Sequence, residues 1–134
     1  MDDRTPVTAG VHHIGLTVSD LEASAGFFTG ILGWQEVRRD PEYPAVFVSD
    51  GTVIITLWSA KVDAPVSFDK NANIGLHHLA LRVGSEQGLK SLHDRLLAAG
   101  VKIEFSPEQL RGGPAMHMMC YDPGGIRIEF IYAP

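Results

Sequence analysis

Residues 10–18 read GVHHIGLTV, and residues 75–83 read GLHHLALRV. Five of the nine positions are identical, and the exchanges at 11/76, 14/79 and 15/80 keep apolar or small character. Both stretches alternate apolar and polar residues with a period of two, the pattern of a strand with one buried face. Ile14, Leu16 and Val18 share one face of the first copy, and His13, Gly15 and Thr17 share the other. In the second copy Leu79, Leu81 and Val83 oppose His78, Ala80 and Arg82. One histidine in each copy therefore points away from the apolar face. A repeated strand implies a duplicated module, and two equivalent histidines can then face a shared centre.

The segments around the two strands repeat in the same order. After the first comes S-D-L-E at 19–22, a capping-box pattern, then Leu21, Ala25, Phe28 and Leu32 at helical spacing and Gly33 as a stop. Strands are expected at 35–39, 45–49 and 52–58, with a tight turn at Asp50-Gly51. The second copy, a strand over 76–83, leads into a helix over 85–99 that buries Leu89, Leu92 and Leu96 and stops at Gly100. Strands follow at 101–105, 115–121 and 126–132, with a Gly/Pro loop at 107–114 and a D-P-G-G turn at 122–125. The plan is βαβββ twice: an α+β domain over 10–134, made of repeats 10–60 and 75–132 joined by a linker at 61–74. The two sheets are expected to curl into an open, mixed β-barrel. A connection as long as the linker is often functional.

Composition narrows the function. The formal net charge is −5 with a pI near 5.6, which argues against a nucleic-acid backbone or an anionic membrane as partner. Cys120 is the single cysteine, so no intrachain disulfide forms and a reducing compartment is expected. No apolar run approaches the ~20 residues that span a bilayer, and the acidic start lacks the apolar core of a signal peptide. The expectation is a soluble, cytoplasmic protein acting on a small molecule.

The last strand supplies the chemistry. Arg127, Glu129 and Ile131 lie opposite Ile126, Ile128 and Phe130, so a carboxylate is carried into a strand with a packed face. If this strand and the two histidine strands line one hollow, His13, His78 and Glu129 form a two-histidine, one-carboxylate set for a divalent first-row ion. The position equivalent to Glu129 in the first repeat is Thr56, a poor ligand, and Trp58 shares its face. Arg82 and Arg127 are placed to meet a carboxylate or phosphonate, and Trp58 to meet an apolar ligand. Plain structural roles stand beside these: arginines paired with local carboxylates, Met116, Met118 and Met119 as core filler, and His12 and His77 as strand-end or supporting residues.

The paired H-x-x-x-x-V strands, the DPGGIRIEF ending at 122–130 and the doubled βαβββ plan resemble the vicinal oxygen chelate superfamily over residues 10–132. That group includes glyoxalase I, extradiol dioxygenases, fosfomycin-resistance enzymes, methylmalonyl-CoA epimerase and bleomycin-binding proteins. The resemblance implies metal ligation at His13, His78 and Glu129 by one divalent ion (Fe, Mn, Ni or Zn). It also implies that the parity of the residue before D-P faces the ligand. That makes His117 and Tyr121 candidate acid–base groups, with Thr56, Trp58, Arg82, Met119 and Arg127 as substrate contacts. Glyoxalase I carries a Glu, and the epimerase a Gln, where this chain has Thr56; the three-ligand set is nearer the dioxygenases and the fosfomycin enzymes. The implied function is a metal-dependent lyase, isomerase or dioxygenase that chelates two neighbouring substrate oxygens. The alternatives are a thiol transferase or hydrolase of the fosfomycin kind and a binding protein without turnover. A homodimer is the expected assembly.

Overall fold

The period-two pattern of the repeats becomes two edge strands in the computed structural model, which describes residues 4–134. Strand β1 (His13–Val18) buries Leu16 and Val18, and β5 (Leu79–Arg82) buries Leu79 and Leu81. Their alternate residues, His13, Gly15, Thr17, Ala80 and Arg82, are exposed, as the alternation requires. Each edge strand pairs in parallel with the last strand of its own module. The first sheet has the order β1-β4-β3-β2, with β2 (Gln35–Asp40), β3 (Ala45–Ser49) and β4 (Ile54–Ser59). The second has the order β5-β8-β7-β6, with β6 (Ile103–Gln109), β7 (Met116–Tyr121) and β8 (Arg127–Tyr132). The result is the expected α+β architecture of two open, mixed four-stranded sheets.

Four details differ from the sequence reading. Asp20, not Ser19, caps helix α1 (Leu21–Gly26), accepting from the Ala23 amide at 3.0 Å. The helix then widens into a π-turn over Phe27–Ile31, which keeps both Phe27 and Phe28 fully buried before Gly33 ends it with φ +76°. Strand β6 runs on to Gln109, through the stretch expected to be a loop. Pro107 is tolerated there because β6 is an outer strand with irregular pairing to β7, so the missing N–H interrupts no central ladder. Helix α2 (Glu86–Ala98) is capped by Ser85, which the sequence reading placed inside the helix, and buries Leu89 and Leu96.

One apolar cluster joins the modules. Leu16, Val18, Phe27, Phe28, Ile55 and Leu57 of the first meet Leu81, Leu89, Leu96, Met118, Ile128 and Phe130 of the second. A buried bond from Ser24 Oγ to Asp122 Oδ2, 2.7 Å, ties α1 to the turn before β8. The other Asp122 oxygen accepts from the Gly124 and Ile126 amides, so the buried carboxylate is satisfied and shapes the D-P-G-G turn. Among the described residues no helix is long and apolar enough to cross a membrane.

Candidate functional site

Register carries the duplication into side-chain positions. Gly15 lies beside Thr56 in the first sheet, and Ala80 lies beside Glu129 in the second. A small residue two places after each histidine thus flanks the residue on the module's last strand. The equivalence of Thr56 and Glu129 inferred from sequence is present in the pairing.

Glu129 is only 8% exposed, yet its carboxylate is well supplied. Oε1 lies 3.2 Å from His78 Nε2, and Oε2 lies 2.6 Å from His117 Nδ1. The far nitrogen of His117 faces Glu108 Oε1 at 3.8 Å, and the Phe105 ring packs on the imidazole at 4.9 Å. Strand β7 sets His117 near Glu129 by placing Met119 directly opposite the carboxylate, with His117 one pleat away. Met119 is buried on this face, whereas Met118 and Cys120 point into the core, so the parity read from sequence holds.

Both histidine pairs have the same local geometry. The Nδ1 atoms of His12 and His13 are 2.9 Å apart, and those of His77 and His78 are 2.8 Å apart. One nitrogen of each pair must carry the proton that the other accepts. Desolvation, reinforced by the Arg127 charge, lowers the His77 pKa and so favours its neutral form. His78 Nε2, on the other side of the ring, faces Glu129 Oε1.

Two donor atoms held ~2.1 Å from one ion, at angles between square and tetrahedral, are ~3.0–3.4 Å apart. The separation between His78 and Glu129 fits adjacent ligands of one ion. The third expected ligand does not complete the set. Among the described residues no group of three or more His, Cys, Asp or Glu converges to hold a metal ion. Within the chain, His78 and His117 meet the Glu129 carboxylate, and His13 does not complete a group with them.

The remaining candidates separate. Thr56 is buried, and its hydroxyl accepts from Trp58 Nε1 at 2.8 Å and reaches the Ile14 carbonyl at 3.4 Å. It is engaged within its own module. Trp58 packs edge-on against Tyr43 at 4.4 Å and tilts toward Phe47 at 5.7 Å, giving this face an aromatic wall. Tyr121 donates its hydroxyl to Glu104, and Arg127 grips the same carboxylate through Nε at 2.9 Å and Nη2 at 2.8 Å. Arg127, with help from Tyr121, holds the Glu104 pKa down to about 2, and the carboxylate in turn pushes the Tyr121 phenol up. Arg82 lies in a shallow cleft with Leu32, Trp34 and Asp50, apart from Arg127.

Tyr121 and Arg127 instead line a cavity of about 490 Å³ with Leu16, Phe68, Lys70 and His77. Sequence reasoning did not single out Phe68, Lys70 or Glu104. The unusual length of the linker was the available signal for the first two.

The family model described as the Glyoxalase/Bleomycin resistance protein/Dioxygenase superfamily matches residues 10–130. The chain belongs to that superfamily. It is 32% identical over 130 residues to the mitochondrial methylmalonyl-CoA epimerase of Homo sapiens, covering 89% of this chain and 71% of that protein. It is 27% identical over 132 residues to an ethylmalonyl-CoA/methylmalonyl-CoA epimerase of Cereibacter sphaeroides, covering 89% and 94%. A solved glyoxylase/bleomycin resistance protein/dioxygenase domain from Frankia sp. superposes with a TM-score of 0.83 at 28% identity, over 95% of this chain and 93% of that one. Superfamily membership agrees with the resemblance carried by the repeated strands.

Proposed function

We propose that this protein is a divalent-metal-dependent enzyme of the superfamily that moves a proton at a carbon next to a carbonyl, on the lyase and isomerase side of its chemistry. The observation that carries this is the Glu129 carboxylate between two imidazoles, 3.2 Å from His78 and 2.6 Å from His117. His78 and Glu129 would hold the ion with His13. The ion would supply positive charge to a pair of neighbouring substrate oxygens, stabilising the oxyanion that develops when the proton leaves. Glu129 accepts from His117 Nδ1 and fixes the ring, leaving His117 Nε2 as the atom that takes or returns the substrate proton. His77 orients His78 in the same manner, and His12 orients His13. The likeness to two acyl-CoA epimerases supports proton transfer over oxygen chemistry.

Because His13 does not join the pair within one chain, we place it in a homodimer. There, the His13 face of one copy closes over the Glu129 face of another. The test is deuterium uptake. Metal-loaded protein in D₂O should exchange the α-hydrogen of a small acyl thioester and should consume no oxygen with a catechol. Oxygen uptake without exchange would move the protein to the dioxygenase side. Absence of both, with no retained metal, would leave the reading of a binding protein.

A further inference from the structure

We propose that the cavity beneath residues 68–71 takes a monoanionic, carboxylate-bearing apolar group of the small-molecule substrate, with the Lys70 ammonium as its counter-charge. The substrate class rests on the proposed function; the binding of the carboxylate does not. The cavity has ligand size, about 490 Å³, against a usual range of ~300–1,000 Å³. Leu16, Phe68, Leu76 and Ile126 give it apolar walls. His77 lines it and is bonded to His78, so it abuts the candidate metal-binding residues. Arg127 and Glu129 share a face of β8 two residues apart, ~7 Å of strand rise.

Charge decides the ligand. Arg127 lines the cavity, but Glu104 neutralises it through two guanidinium nitrogens. Lys70 differs. It is half-buried, its ammonium reaches the Asn71 amide oxygen only at the long distance of 3.4 Å, and among the described residues it pairs with no carboxylate. Asp69 also lines the cavity, but its carboxylate is turned to its own loop, accepting from the Asn71 amide at 2.8 Å. A cation with no direct ion pair among the described residues, over an apolar floor, suits a monoanion with a hydrocarbon body; a phosphate dianion would need a second such cation.

The loop is already built for this. Asn73 Oδ1 accepts from the Asp69 amide at 2.7 Å, and the Asp69 carbonyl accepts from the Ala72 and Asn73 amides. A Cβ at Gly75 would stand 3.0 Å from the Phe68 ring, so the glycine, at φ +156°, lets that ring lie against the chain entering β5. Ligand binding need not order the segment first, which lowers its entropic cost.

The test compares hexanoate with its neutral isostere hexanamide by amide chemical-shift titration of the full chain, with chelator present. Hexanoate should shift resonances at Lys70, His77 and Tyr121 and bind at least ~10-fold tighter than hexanamide, the factor set by one charge-assisted contact of ~1.4 kcal/mol. Lys70→Met should erase that preference while hexanamide binding persists, and Lys70→Gln should do the same. Equal affinity for the two probes, no binding of either, a preference that survives both substitutions, or tighter binding of inorganic phosphate would overturn the proposal. The titration is run with chelator, so the hexanoate preference does not depend on bound metal. A wild-type chain that shows the preference but retains no metal would therefore sink the enzyme reading and spare this site.

Discussion

The two sheets hold the same register and have opposite chemistry on their open faces. In the first, the residue beside Gly15 is Thr56, and its hydroxyl is engaged by the Trp58 indole within an aromatic wall. In the second, the residue beside Ala80 is Glu129, a carboxylate shared by His78, just before β5, and His117 on β7. The duplicated backbone sets where a group can stand. One side chain then decides whether that position holds a hydroxyl engaged within its own module or a carboxylate between two imidazoles.

Removing the carboxylate should have the largest effect. Glu129→Ala should abolish retained metal and catalytic exchange together, with the circular dichroism of the fold unchanged. Retained metal in this variant would mean that the two sheets do not differ in function as described. His117→Ala comes next: it removes the group that orients Glu129 and the proposed proton carrier. Exchange should fall ~10²–10⁴-fold, while metal affinity drops only ~10–100-fold, and a comparison of turnover with metal titration separates the two. In the first sheet, Thr56→Val should leave metal binding untouched. It deprives the Trp58 N–H of its acceptor and should cost ~1–3 kcal/mol in denaturant unfolding. A loss of metal here would contradict the division between the sheets.

The smallest effect concerns the rim of the cavity. Glu104 has its pKa lowered from 4.5 to about 2, first by the Arg127 hydrogen bond. A lowered carboxylate pKa gives stability that is complete above the unfolded value and is lost as pH falls through the folded one. The stability gap between the native chain and Glu104→Gln should thus be constant above about pH 4.5 and close between there and about pH 2. A gap that stays constant through this window would remove the Arg127–Glu104 pair from the account of the cavity.

Most of the fold was legible because alternation and capping are local. Residues 13–18 and 79–82 could be faced correctly from their period alone. Pro107 misled because a proline argues for a loop unless the strand is an outer one, and strand order is a long-range property. The π-turn after Gly26 likewise answers to the packing of Phe27 and Phe28, not to any local signal. At the site, the matched repeats put His13, His78 and Glu129 together; His78 does stand against Glu129, whereas among the described residues His13 does not complete the group. Tyr121 could be given its face from sequence, but its partner Glu104 sits on another strand with no pattern linking them. Lys70 was invisible because its isolation from carboxylates is defined only once the chain is folded.

The most direct measurement is bound metal per chain after exhaustive dialysis, read by elemental analysis on the wild type, His78→Ala and Glu129→Ala. One ion per chain in the wild type and none in either variant is the predicted result. Equal metal content in all three, or none in any, would contradict the claim that Glu129 and its histidines grip a cation.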